Sequence, residues 1–244
     1  MRLLKRFSER RLKYSPKTLS LRINAVETAL AVLLRDDFAI SEENAFNGQT
    51  GRKEIFKDIT SNHDIDLIVE TGTFLGNTTA YMATTSGIEV ITVEANNLFF
   101  LIAQKKLSHL RNVSVVHSDS ADYMLGEANT SLANRSTFFY LDAHWGKRLP
   151  LIPELESIFS HYVNYVVMID DFRVEGDHGY TYDRYGMFNH LTIKLIKKLL
   201  AKYQINAFFP ALDSARETGA RRGCIILAPK HIAGISDKLV QYIY

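Results

Sequence analysis

The stretch Leu67-Ile68-Val69-Glu70-Thr71-Gly72-Thr73-Phe74-Leu75-Gly76-Asn77-Thr78-Thr79 constrains the fold more than any other part of the chain. A short, mainly apolar run is followed by a glycine-containing turn and then by helical spacing. That pattern predicts a buried strand feeding a helix. Gly72 allows a sharp turn and a close backbone approach to a ligand. Gly76 allows the following helix to sit close to the strand. The spacing is Glu-x-Gly-x-x-x-Gly and departs from the Gly-x-Gly-x-x-Gly of a dinucleotide fingerprint. A pyrophosphate needs bare helix N–H groups, whereas here an acid ends the strand. A ligand carrying an amine or another cationic group suits it better. Strand–glycine–helix turns also serve purely structural ends, so the meaning of this one depends on the residues downstream of it.

The segment 88–94 reads as the next strand and also ends in an acid, Glu94, which lies 22 residues after Gly72. That is about the separation at which an acidic residue meets a ribose diol in βαβ nucleotide sites. A third strand over 113–117 is followed by Ser118-Asp119-Ser120. Polar groups thus stand at three strand C-termini, the edge at which open α/β sheets bind ligands.

The motif Glu70-x-Gly72-x-x-x-Gly76, then Glu94, then Asp119 resembles the S-adenosylmethionine site of class I methyltransferases over residues 65–229. The resemblance implies that Glu70, Thr71, Gly72, Thr73, Gly76 and Thr78 wrap the methionine end of that cofactor. It implies that Glu94 holds the ribose and that Asp119 and Ser120 lie by the adenine. Asp142 is a further expected cofactor contact.

Elements alternate along the rest of the chain. Helices are expected near 77–84, 97–110, 121–125, 150–161 and 191–203. Further strands are expected over 137–142, 165–170, 206–209 and 223–227. Such alternation predicts an α/β fold with a mostly parallel sheet and right-handed crossovers. The resemblance adds a Rossmann-like sheet of seven strands, the last antiparallel, with helices on both faces. Upstream, 21–34 and 52–59 have helical spacing, and Asn47-Gly48 and Gly51 mark turns. The expected division is a basic, helical N-terminal extension, 1–64, and a methyltransferase domain, 65–244.

Asp142-Ala143-His144-Trp145 ends the fourth strand and Asp170-Asp171 ends the fifth. Three carboxylates converging at strand ends repel one another without a counter-ion. A hard divalent cation with oxygen ligands, Mg²⁺, is expected to hold them together. Adjacent strand residues point to opposite faces, so Asp170 and Asp171 can share an ion only if the strand ends there. The arrangement resembles metal-dependent small-molecule O-methyltransferases of the catechol type and of the macrocin and novobiocin sugar type. That resemblance implies Asp142, Asp170 and Asp171 as metal ligands. The sugar type carries an Asp two residues after the first ligand as general base; His144 stands there, and an imidazole can fill the role. His144 and Asp142 are therefore the expected catalytic pair. The loop 171–188, rich in Gly, Asp and Tyr, suits a polar ring such as a sugar or phenol. The loop 213–222 can close over the same edge, its arginines binding an acidic acceptor or pairing with the acids nearby.

Charge separates the classes of partner. Residues 1–22 carry a net +7 and the remainder a net −5, within an overall +2. The basic segment reads as a solvated helix or as a patch for an anionic surface. The acidic body disfavours a nucleic-acid substrate. Leu141-Asp142-Ala143-His144 also stands where base amino-methyltransferases carry Asn/Asp-Pro-Pro-Tyr. A non-catalytic nucleotide-binding protein of the same fold is the other alternative. No apolar run is long enough to span a membrane, and no secretory signal is read. The single cysteine, Cys224, lies in an apolar run, excludes an internal disulfide and fits a reducing, cytoplasmic setting. A small-molecule acceptor is expected, and a homo-oligomer is left open.

Overall fold

The apolar strand segments of this chain can be buried only if helices cover both faces of the sheet they form. The computed structural model describes residues 24, 41–126, 132–143, 149–185, 189–232 and 234–244, and shows this arrangement. The parallel strands are β1 (Leu67–Thr71), β2 (Glu89–Glu94), β3 (Val113–His117), β4 (Thr137–Leu141) and β5 (Tyr165–Ile169). A two-stranded ribbon, β6 (Arg184–Tyr185) and β7 (Asn189–His190), stands apart. The chain then supplies β8 (Ile205–Pro210), β9 (Ile225–Pro229) and β10 (Leu239–Tyr242). The main sheet has eight strands in the order β10-β8-β9-β5-β4-β1-β2-β3. β9 runs antiparallel between β5 and β8, as expected of the seventh strand. The eighth, β10, adds an antiparallel edge to β8 beyond the seven expected.

Alternation along each strand sends neighbouring side chains to opposite faces. Leu67, Val69, Phe139, Leu141, Val167 and Ile169 enter one core, while Ile68, Phe138, Tyr140, Val166 and Met168 enter the other. Helices α1 (Thr50–Asn62) and α2 (Asn77–Ser86) cover the second face with Ile55, Phe56, Ile59, Tyr81 and Met82. Helix α3 (Asn97–Leu107) packs on α2 through Ala103 and Leu107. The first face is covered by α4 (Ser120–Leu125), α5 (Leu151–His161) and α6 (Ile193–Tyr203). On α6, Ile193, Ile196, Leu199 and Leu200 are buried and Lys194, Lys197, Lys198 and Lys202 are exposed, so its lysines form a solvated face.

The chain groups into units of residues 1–39 and 40–244. Segment 41–64, expected as part of the N-terminal extension, groups with the sheet. The basic segment and the 21–34 helix lie outside the described residues apart from Asn24. Among the described residues, no helix is long and apolar enough to cross a membrane.

Sheet order fixes where a ligand can enter. The crossovers run outward in opposite directions from β1 and β4, and that switch point opens a crevice at the strand carboxyl ends. The core beneath is closely packed: Phe138 is fully buried and meets Phe56 edge-on at 5.4 Å between ring centres. Phe138→Ala is expected to lower the unfolding free energy by about 3–5 kcal/mol, the usual cost of emptying an aromatic core site. Urea denaturation checks it, and a loss under about 1 kcal/mol would mean that the site collapses around the gap.

Candidate active site

A cavity of about 900 Å³ occupies the switch-point crevice, walled by Glu70, Gly72, Glu94, Ser120, Asp142 and Asn47 among others. Its floor is the turn after β1. The Gly72 amide donates to the Val93 carbonyl (2.9 Å), and the Asp142 amide donates to the Thr71 carbonyl (2.9 Å). Gly72 has φ of +88°, and a Cβ there would lie 2.6 Å from the Asp142 carbonyl oxygen. Only glycine fits this close approach of two segments of the backbone.

Each expected cofactor residue except Thr71 lies in this wall. Glu94 presents a carboxylate whose oxygens accept the Phe74 amide (2.8 Å) and the Asn96 amide (2.8 Å). It thereby shapes the glycine turn as well as facing the cavity. Thr73 and Thr92 join through their hydroxyls (2.6 Å), and the Thr78 hydroxyl accepts the Phe46 amide (3.1 Å). Asp119 caps α4 by accepting from Ala121 (3.0 Å), so this acid also serves the helix beside Ser120. Thr71 is fully buried behind the turn.

Glu70 is 1% exposed and accepts from the hydroxyls of Thr79 and Thr92. Burial pushes its pKa up to about 7, the two hydroxyls oppose that, and Glu94 adds to it. Glu154 on α5, unforeseen from sequence, is fully buried in reach of the Ser120 and Thr71 hydroxyls without a well-formed hydrogen bond to either. Burial pushes its pKa up to about 7 as well.

The three aspartates at the ends of β4 and β5 come close but do not converge. β5 ends at Ile169 and Asp171 is left-handed (φ 53°), so the strand does stop where sharing an ion requires. The carboxylates nevertheless diverge. Asp170 is fully buried and paired with Arg52, and its Oδ1 also accepts the Asp171 amide (2.6 Å). Its Oδ2 accepts from Asn47 Nδ2 (3.0 Å) and the Tyr140 hydroxyl (2.5 Å). Asp171 accepts from Arg222 Nε (2.5 Å), and the same guanidinium pairs with Asp183. Asp142 borders the cavity and has no side-chain hydrogen bond among the described residues. Burial, then Asp170 and Asp171, holds its carboxyl well above the usual carboxylate range. Burial and Asp170 raise Asp171 to about 6, against the pull of Arg222.

This donor set does not fit Mg²⁺ on Asp170, the expected ligand, because hydrogen bonds already fill its four acceptor positions. Among the described residues, no three His, Cys, Asp or Glu side chains are arranged to hold a metal ion. His144, the expected base, lies outside the described residues. Cys224 is free and buried, and burial raises its thiol to about 11, which suits a structural role.

Sequence reasoning does not single out Arg52 or Tyr140, and it reads Asn47 only as part of a turn. The signal for Arg52 is its spacing with Ile55, Phe56 and Ile59, which puts an arginine on the apolar stripe of α1. A charge so placed needs a buried acid. The 171–188 loop is largely anchored. Phe172, Val174 and Tyr180 are buried, and the Tyr180 hydroxyl donates to the Leu212 carbonyl (2.9 Å). From the 213–222 loop, Ala220 reaches the cavity wall and Arg222 takes the pairing alternative.

Solved structures share this architecture. An O-methyltransferase from Bacillus cereus, in complex with SAH, is 18% identical with a TM-score of 0.58, covering 93% of this chain and 97% of its own. TomG from Streptomyces achromogenes, an O-methyltransferase involved in tomaymycin synthesis and in complex with SAM, is 15% identical with a TM-score of 0.55, covering 91% and 93%. Cofactor-bound Rv0187 from MTB is 14% identical with a TM-score of 0.53, covering 92% and 95%. No family model matches the chain, and no curated protein matches it in sequence. The protein therefore has the Rossmann-like α/β fold of S-adenosylmethionine-dependent O-methyltransferases, and at these identities the likeness is one of fold.

Glu70 gives a pH test of this electrostatic picture. Its folded pKa is raised above the ordinary 4.5, so ionising it costs the folded state. That stability is intact below about pH 4.5 and is lost as pH rises towards 7. Glu70→Gln is expected to gain on wild type by up to about 3 kcal/mol between about pH 5 and pH 8 in the ligand-free protein. Denaturant unfolding across that range measures it; a variant-to-wild-type difference that does not change with pH would show that Glu70 ionises normally.

Proposed function

We propose that this protein is an S-adenosylmethionine-dependent methyltransferase acting on a hydroxyl of a small molecule. The observation that carries the reading is the cavity at the β1/β4 switch point. Gly72 is pressed there onto the Asp142 backbone, and Glu70, Glu94 and Ser120 stand around it. The residues fit the cofactor. The Glu94 carboxylate lines the cavity and can accept from a ribose diol, and buried Glu70, held near the point of protonation, can ionise fully beside a cationic methionine end. The fold neighbours in complex with SAH and SAM support the same reading.

When bound, S-adenosylmethionine would supply a methyl group activated by its positive sulfur for transfer to an acceptor oxygen. The protein's part is to hold the acceptor in line, exclude water and take the hydroxyl proton. Asp142 is suited to the last task by its raised affinity for a proton and its place in the cavity wall. His144, two residues on, is proposed as its partner or as the base itself. Asn44 and Asn47, also in the wall, suit a hydroxylated ring such as a sugar or phenol. The net −5 of residues beyond 22 speaks against nucleic acid. The free, buried Cys224 goes with a reducing, cytoplasmic setting.

Calorimetric titration with S-adenosylmethionine and S-adenosylhomocysteine tests the cofactor assignment. One site per chain is expected. Glu94→Ala is expected to weaken it by about 1.5–3 kcal/mol, the range for a hydrogen bond to a charged group. Absence of binding by the folded wild type would sink the reading. With an acceptor found by radiolabelled methyl transfer to a panel of sugars and phenols, Asp142→Asn and His144→Ala come next. Loss of the base is expected to slow single turnover by about 10²–10⁴-fold with cofactor affinity nearly kept. Full activity in both variants would leave the proton to solvent or substrate.

A further inference from the structure

The carboxylates at the ends of β4 and β5 pose a charge problem that the chain solves with its own side chains. Arg52 is 1% exposed and its guanidinium also donates to the Gln49 side chain (3.3 Å) and the Arg222 carbonyl. It lies across the wall from the cavity and pairs with Asp170, whose remaining acceptor positions are taken by Asp171, Asn47 and Tyr140. Arg222 bridges Asp171 and Asp183, and the Tyr185 hydroxyl donates to Asp183 (2.7 Å). Two guanidinium groups thus stand among the acids expected to hold a divalent ion.

A magnesium ion would need about six oxygen ligands at roughly 2.0–2.1 Å. To recruit Asp170 it would have to displace a hydrogen-bond donor, and displacing Arg52 would strand a buried charge. To recruit Asp171 and Asp142 it would have to sit beside the fixed positive charge of Arg222. Like charges at such range repel strongly in a partly buried site.

We propose that Arg52 and Arg222 stand in for a divalent cation in this protein, so that the carboxylate cluster is neutralised from within and the adjoining cavity works without a bound metal ion. Arg52 is a positioning residue. Its charge holds Asp170, and Asp170 in turn holds Asn47 and Tyr140, both of which face the cavity. The reaction invoked rests on the methyltransferase reading above; the exclusion of metal does not.

The test uses the full chain, stripped with EDTA and desalted, and titrates it with Mn²⁺ followed by electron paramagnetic resonance, with and without S-adenosylhomocysteine. Calorimetry measures S-adenosylhomocysteine affinity in EDTA and in Mg²⁺ on the same samples. Wild type is expected to bind Mn²⁺ no tighter than about 1 mM, the weak end of natural oxygen-ligand sites. Its affinity for S-adenosylhomocysteine is expected to be the same in EDTA and Mg²⁺. Arg222→Gln leaves the buried Arg52 pair intact and frees Asp171 beside Asp142. It is expected to gain at least about tenfold in Mn²⁺ affinity as one repelling charge is removed. One Mn²⁺ bound per wild-type chain in the micromolar range, and lost in Asp170→Asn, would overturn the proposal. So would a folded Arg222→Gln that gains nothing. Should that variant fail to fold, the wild-type titration decides alone. Failure to bind S-adenosylhomocysteine with Mn²⁺ also unbound would remove the cofactor reading and leave the arginine assignment standing.

Discussion

The buried pair between Arg52 and Asp170 is the interaction on which the site depends. It joins α1 to the end of β5, 118 residues apart in sequence. Around it, Gln49 accepts the Arg222 amide (2.7 Å) and donates to the Arg222 carbonyl (2.9 Å), which fixes the strand that enters β9. Asn47 completes the knot by accepting the Ala220 amide (3.0 Å) through its carbonyl. Three segments that share no local sequence are thereby locked into one wall of the cavity. Such a pair adds little net stability compared with an apolar contact of equal size, because both charges lose their hydration. With every acceptor position of Asp170 filled, the pair ties the positions of Arg52, Asn47 and Tyr140 to one another.

The same wall explains why acids tolerate one another at this edge. Each carboxylate has its own solution. Asp170 is saturated, Asp171 shares Arg222 with Asp183, and Glu70 and Glu154 are held near the point of protonation by burial. Asp142 and Glu154 both gain proton affinity without a well-formed side-chain hydrogen bond among the described residues, and of these two Asp142 is the one that lines the cavity. The distribution of charge, more than the number of acids, separates structural from chemically disposed carboxylates here.

How much of this is legible in the sequence depends on range. The β1–turn–α2 unit, the parallel strands and the helices on both faces are local patterns, and the structure has them close to where periodicity places them. The expected strand at 137–142 is β4, and the helix at 191–203 is α6. The ribbon of β6 and β7 reads as loop in the sequence because two-residue strands leave no period to detect. β10 lies at the sheet edge, where Val240 is exposed and alternation is weak. The site is legible as a set of residues at strand ends but not as a set of partners. Arg52 finds Asp170 only through the whole topology. An acid read alone calls for a cation, whether that cation is a metal ion or a guanidinium.

The position of β9 has a consequence for synthesis. This strand fills the slot between β5 and β8, and among the described residues β10 is the other strand that pairs with β8. A chain emerging from the ribosome can pair β1 to β5 as they appear, but β8 and α6 then wait beside an unfilled slot. Until residue 229 is free, β5 is an exposed apolar edge of the kind that invites pairing with another chain. Between the making of β5 and the arrival of β9 the nascent chain therefore carries an open apolar edge, although most of its core strands have already been made. A single late strand, with Arg222 at its entrance, converts an open sheet edge into the finished wall.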